Sequence, residues 1–173
     1  NSLTLNSNNI FGMFPRYEGD SHATPDKFAD DCDAFLAALK ESNILTLSLQ
    51  NTGIGPLTLR KLATSLPAAV TSMNCLNNSL GEGVHTIIKV FEETPRLRTL
   101  CGLEEGVEQI DWSKSGKGPA DVALLAAELK ACRAVAVVKK VTLSKNFLFG
   151  SKVEYGVVVH DIDADQICWS SLC

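Results

Sequence analysis

Five times along this chain a short run of alternating apolar residues is followed by Asn, Thr or Ser, one more residue, usually an aliphatic, and a nearby glycine. The runs are Leu3-Leu5-Asn8-Ile10, Leu47-Leu49-Thr52-Ile54, Met73-Cys75-Asn78-Leu80, Ile110-Trp112-Ser115-Lys117 and Val141-Leu143-Asn146-Leu148. Helical periodicity fills the gaps. A unit this small has no interior of its own and buries its apolar face only against the next copy, so the pattern predicts a solenoid.

The segments between the runs place apolar residues at helical spacing, each opened by a proline or a polar residue. Thr24-Pro25 reads as a cap and a first-turn proline ahead of Phe28, Cys32, Phe35, Leu36 and Leu39. Pro56 precedes Leu59, Leu62, Ala63 and Leu66, and Val84, Ile87, Ile88 and Phe91 form another stripe. Pro119 opens the longest, through Val122, Leu125, Ala126, Leu129 and Cys132. Parallel strands need a crossover of a dozen residues or more, usually a helix, and these gaps supply it. The expected architecture is α/β: a curved parallel sheet inside and helices outside, with Asn, Thr or Ser closing each strand by bonding backbone groups of the neighbouring turn.

Two stretches, Leu47-Ser48-Leu49-Gln50-Asn51-Thr52-Gly53-Ile54-Gly55 with Leu62-Ala63-Thr64-Ser65-Leu66 after it, and Val141-Thr142-Leu143-Ser144-Lys145-Asn146-Phe147-Leu148, resemble the leucine-rich repeat family in its ribonuclease-inhibitor-like subtype. The resemblance implies a right-handed βα solenoid, a horseshoe segment with a parallel inner sheet and outer helices. It covers most of residues 1–173, as a single array of about five to six repeats. Thr52 and Ser115 replace the family's asparagine and Lys117 stands at an aliphatic position, which predicts looser turns there.

Two features depart from the regular repeat. An offset of 138 residues aligns Leu5 with Leu143, Asn8 with Asn146, Phe11 with Phe149, Tyr17 with Tyr155 and His22 with His160. This longer repeat includes two extended loops, 12–24 and 150–162, and implies a closing helix with Trp169 and Leu172 on its inner face. A chain that starts in a strand and stops in a helix reads as a fragment or an assembled subunit. The other departure is Leu97 to Leu103, extended in character but only about ten residues ahead of Ile110-Asp111-Trp112, too close for an intervening helix. A hairpin-like excursion and an irregular extended stretch both fit.

Composition narrows the function. The net charge of −4 gives no basic footprint for nucleic acid. No apolar run reaches the roughly 18 residues of a membrane span. The six cysteines have neither the spacing of a disulfide framework nor that of a zinc ribbon, and read as mostly reduced thiols of an intracellular, cytoplasmic protein. Asn77-Asn78-Ser79 is a glycosylation sequon of the kind that arises by chance.

The remaining polar clusters favour structural readings. Asp161, Asp163 and Asp165 alternate like the start of a calcium loop, but Gln166 and Leu172 stand where glycine and glutamate are required; a helix cap at Asp163 with Gln166 reaching back is the better reading. The glycine pairs at 53–55, 81–83 and 116–118 lack the spacing and the lysine of a phosphate loop. No nucleophile stands beside His22 or His160, and no catalytic residue, cofactor site or metal site is assigned.

The expectation is a non-enzymatic protein–protein interaction or scaffold module with unidentified protein partners. Its contacts would come from outward strand positions, Ser48, Gln50, Asn74, Asp111, Lys114, Thr142 and Lys145, or from the second loop, Tyr155, Val157, Val158 and Val159. The alternative is a regulatory domain of a GTPase-activating or other enzyme system; the GTPase-activating form would rest on Arg96 and Arg98.

Overall fold

The computed structural model describes residues 1–13, 22–146 and 148, together with the backbone of 151–154 and 157–160. Strands β1 (Ser2–Thr4), β2 (Thr46–Ser48) and β3 (Ser72–Asn74) form one parallel sheet in chain order, and β4 (Gln109–Asp111) and β5 (Lys140–Thr142) form a second parallel pair. Four helices lie among the described residues: α1 (Asp33–Lys40), α2 (Pro56–Thr64), α3 (Val84–Glu93) and α4 (Pro119–Ala131). The chain is α/β with parallel strands, and no barrel closes among these residues. A separate antiparallel hairpin joins β6 (Ser151–Glu154) to β7 (Val157–His160).

Register explains the core. Leu3, Leu47 and Met73 are paired across the first sheet, Ile110 and Val141 across the second, so the alternating apolar residues all point to one side. Leu47, Met73 and Ile110 are buried there with Leu59 and Leu62 of α2, Val84, Ile87 and Phe91 of α3, and Leu124 and Leu125 of α4. Pro56 and Pro119 each occupy the first helical turn, where the missing amide costs nothing.

The turns after the strands share one backbone geometry. Ser7, Asn51, Asn77, Lys114 and Lys145, each one residue before the Asn, Thr or Ser, have φ of 58°, 54°, 55°, 53° and 62°. In the turn after β3, Asn78 Oδ1 accepts the amides of Thr52, Gly53 and Ile54, while Nδ2 donates to the carbonyls of Leu49, Cys75 and Leu76. Asn146 repeats the wiring on the turn after β4, accepting from Ser115 and Lys117 and donating to Trp112 and Leu143.

Several expectations need correction. The turns at Thr52 and Ser115 are not looser: each hydroxyl donates to the carbonyl three residues back, at 2.7 Å and 2.5 Å, and each turn is then bonded by the next asparagine. Lys117 is buried, its Nζ 2.7 Å from Asn77 Oδ1 and 5.3 Å from the centre of the Trp112 ring, so its stem fills the aliphatic position while its ammonium keeps a hydrogen bond and a ring face. The first helix begins at Asp33, not after Pro25, because Asp26 takes a left-handed φ of 62° and its carboxylate accepts the amides of Gly55, Leu57 and Thr58, capping α2 instead. In α4 Val122 and Leu125 of the expected stripe are buried, but Cys132 at its end is exposed, and Asp121, Leu124 and Glu128 are buried besides. The expected helix carrying Trp169 and Leu172, and the Asp163 cap, lie outside the described residues.

Candidate interaction surface

The face of the sheet away from the helices is where side chains are available to a partner. Thr4, Ser48 and Asn74 stand in register across β1 to β3, and Asp111 faces Thr142 across β4 and β5. Some of these side chains also bond within the face. Asn6 Oδ1 accepts from Ser48 Oγ at 2.8 Å and from the Gln50 amide at 3.0 Å. Asp111 Oδ1 accepts the Ser113 amide and hydroxyl, which hold its carboxylate below the ordinary range. Lys114 and Lys145 are not strand residues as expected; they sit at the left-handed turn positions and are exposed.

Between the two sheets the backbone ladder stops, and this resolves residues 97–103. The stretch is an irregular extended one: Arg98 N donates to Thr71 O, Thr99 O and Leu100 O accept from Met73 N and Cys75 N, and Gly102 N returns to Met73 O. Among the described residues it pairs with β3 and not with β4. Its far edge meets a side chain instead. Glu128 Oε1 accepts the amides of Leu100 and Cys101, at 2.5 Å and 2.6 Å, and the Thr99 hydroxyl at 2.9 Å. A carboxylate from the helix layer thus stands where carbonyls of a next strand would be.

The same gap is spanned at both ends of the strands. Asn77 N donates to Asp121 Oδ1 at 2.7 Å, Asp121 Oδ2 accepts the Gly118 amide, and Lys117 reaches Asn77. At the other end Arg133 donates to the carbonyls of Phe91, Thr94 and Leu97, closing the C-terminus of α3 while stacking over Phe91. Arg98 donates to Arg133 O and pairs with Glu105, so its guanidinium is engaged in the fold.

Burial dominates the electrostatics at the gap. It pushes the Glu128 carboxyl above its ordinary value, with the Cys101 and Leu100 amides and Thr99 pulling back, and raises Asp121 likewise. Glu128 Oε2 is buried without a hydrogen-bond partner among the described residues. Burial lowers the Lys117 ammonium and raises the Cys75 and Cys101 thiols, disfavouring the charged form in each case.

Glu128, Asp121 and Arg133 were not singled out from sequence. The available signal was two acidic residues, Asp121 and Glu128, each three and four positions from Leu124 and Leu125 and so on their side of the helix. The sequon side chain of Asn77 is committed to Lys117. Val157, Val158 and Val159 lie in β7, paired in that order with Glu154, Val153 and Lys152 of β6; Tyr155 lies outside the described residues. Among the described residues no cluster of His, Cys, Asp and Glu is arranged to hold a metal, and no helix is long and apolar enough to cross a membrane. In comparison with known proteins, the chain matches no family model, no curated protein and no solved structure.

Proposed function

We propose that the chain is a segment of a leucine-rich repeat solenoid of the ribonuclease-inhibitor-like subtype, and that it acts as a non-enzymatic protein-interaction or scaffold module. One observation carries the reading: five turns of the same left-handed geometry each follow a strand of one of two parallel sheets, and two asparagines repeat the same inter-turn wiring. Layers held this way leave the open sheet face free to vary without disturbing the stack, and recognition is the general use of such a face. Ser48, Asn74, Asp111 and Thr142 line it, with Gln50, just past the end of β2, and Lys114 and Lys145 at its rim. Small polar side chains of this kind suit a hydrophilic protein surface better than an apolar ligand.

The test is affinity capture with cross-linking, comparing the wild-type chain, a Ser48→Arg/Asn74→Arg double variant and a helix-face control, Lys89→Glu. A partner cross-linked at the open face and lost only in the double variant is the expected result. Partners retained by all three chains would overturn the assignment of this face.

A further inference from the structure

Asp121 and Glu128 of α4 and Arg133 just beyond it cross the division between the sheets, and the middle one is built differently from its neighbours. Asp121 has an amide on each oxygen, Asn77 on Oδ1 and Gly118 on Oδ2, and the Lys117 charge offsets part of the cost of its burial. Arg133 gives its guanidinium to the carbonyls of Phe91, Glu92, Thr94 and Leu97. Glu128, between them, is 1% exposed and unevenly satisfied. Oε1 accepts the Leu100 and Cys101 amides and the Thr99 hydroxyl, while Oε2 has no partner among the described residues.

An ionised carboxylate at this place puts charge on an oxygen that no donor meets, and no cation offsets it: among the described residues Glu128 makes no ion pair. From β3 and the 97–103 stretch the thiols of Cys75 and Cys101 face it, and burial holds both neutral. Lys117 is held by Asn77 and the Trp112 ring, and Arg98 by Glu105. The charged residues of α3, His85, Lys89, Glu92 and Glu93, are exposed, as are Asp111 of β4 and Lys140 of β5, and Glu92 pairs with Lys130 on the outside of α4. Water is therefore what remains to stabilise the anion, and it reaches Oε2 when residues 99–101 and α4 separate. That separation leaves the sheet intact, because the stretch is bonded to β3 through Thr99 O, Leu100 O and Gly102 N and not through Glu128.

We propose that Glu128 is a proton-dependent latch between α4 and residues 99–101: with a proton on its carboxyl the two stay joined, and without one they part locally while the surrounding layers stay folded. Asp121 and Arg133 keep their bonds and hold the two ends of the division, so the opening is confined to its middle. The closed form binds the Glu128 proton more tightly than the open, hydrated form does. The latch is therefore strongest below the ordinary carboxyl value and weakens as pH rises toward the higher value of the closed form.

Amide hydrogen exchange followed by NMR reads the latch directly. Leu100 N is bonded by Glu128, whereas Leu49 N bonds Asn74 O between β2 and β3, so the ratio of their protection separates local release from global unfolding. In the wild-type chain the Leu100 to Leu49 ratio should fall by up to about tenfold per pH unit between 4.5 and the pH at which the side-chain carboxyl carbon signal of Glu128 titrates, and level off above it. In Glu128→Gln, which keeps an oxygen for the amides and has no acid proton to lose, the ratio should not change with pH. The carbon titration and the wild-type ratio decide the matter if that variant fails to fold. A wild-type ratio independent of pH overturns the proposal, as does an equal fall in Glu128→Gln, a matching loss of protection at Leu49, or a Glu128 signal that titrates at or below 4.5.

Discussion

Asn78 concentrates more hydrogen bonds than any other side chain described, and its removal measures how strongly adjacent turns are coupled. Three amides converge on Oδ1 at 3.0, 3.1 and 3.2 Å and three carbonyls on Nδ2 at 2.8, 3.1 and 3.2 Å. An amide side chain has two lone pairs and two hydrogens, so one contact on each side is shared and the effective number is about four. At roughly 1 kcal/mol net for each, and with buried amides left without a substitute, Asn78→Ala should cost about 4 kcal/mol. That is a large part of the 5–15 kcal/mol typical of a folded domain. Asn146 is only part-buried and bonds two amides and two carbonyls, so Asn146→Ala should cost about 2 kcal/mol. Asn8 is exposed and bonds only its own turn, so Asn8→Ala should cost less than about 1 kcal/mol. Urea unfolding followed by circular dichroism gives the ranking, and amide hydrogen exchange at Thr52, Gly53 and Ile54 gives the locality. Equal costs for all three alanines, or unchanged exchange at those amides in Asn78→Ala, would refute the coupling argument.

Three further outcomes follow from the same geometry. Lys114→Gly and Lys145→Gly relieve a left-handed backbone at exposed positions and should each stabilise by about 0.5–1 kcal/mol in urea titrations, after the extra unfolded-chain entropy of glycine is offset. Glu128 has a folded-state pKa above its ordinary value of 4.5, so the native state holds that proton more tightly than the unfolded chain. Stability from this group is therefore complete at pH below the ordinary value and is lost as pH rises through the raised folded value; urea midpoints across that window should fall less steeply for Glu128→Gln. Cys132 should react with a maleimide in the native protein while Cys75 and Cys101 label only after unfolding, as read by mass spectrometry of peptides.

The strand runs at Leu3, Leu47, Met73, Ile110 and Val141 and the helices opened by Pro56 and Pro119 were legible in the sequence, because alternation, helical spacing and a first-turn proline are local patterns. The polar row at Ser48, Asn74, Asp111 and Thr142 followed from the same alternation. The left-handed lysines were not legible, since nothing local distinguishes Lys114 from a strand residue until the turn closes. Asp26 read as part of a helix start because its partners, Gly55 and Thr58, lie about thirty residues away.

What the sequence determined by itself was the alternation of strand and helix: the apolar strand residues Leu47, Met73 and Ile110 that face inward, and the helices that connect parallel strands. The tertiary structure alone decided where the sheet divides. That division depends on Glu128 reaching Leu100 and Cys101, on Asp121 reaching Asn77, and on Arg133 closing α3, contacts between groups 27 to 44 residues apart. A buried carboxylate is tolerable only where converging amides replace its water, and convergence of that kind is a property of packed layers, not of any stretch of chain.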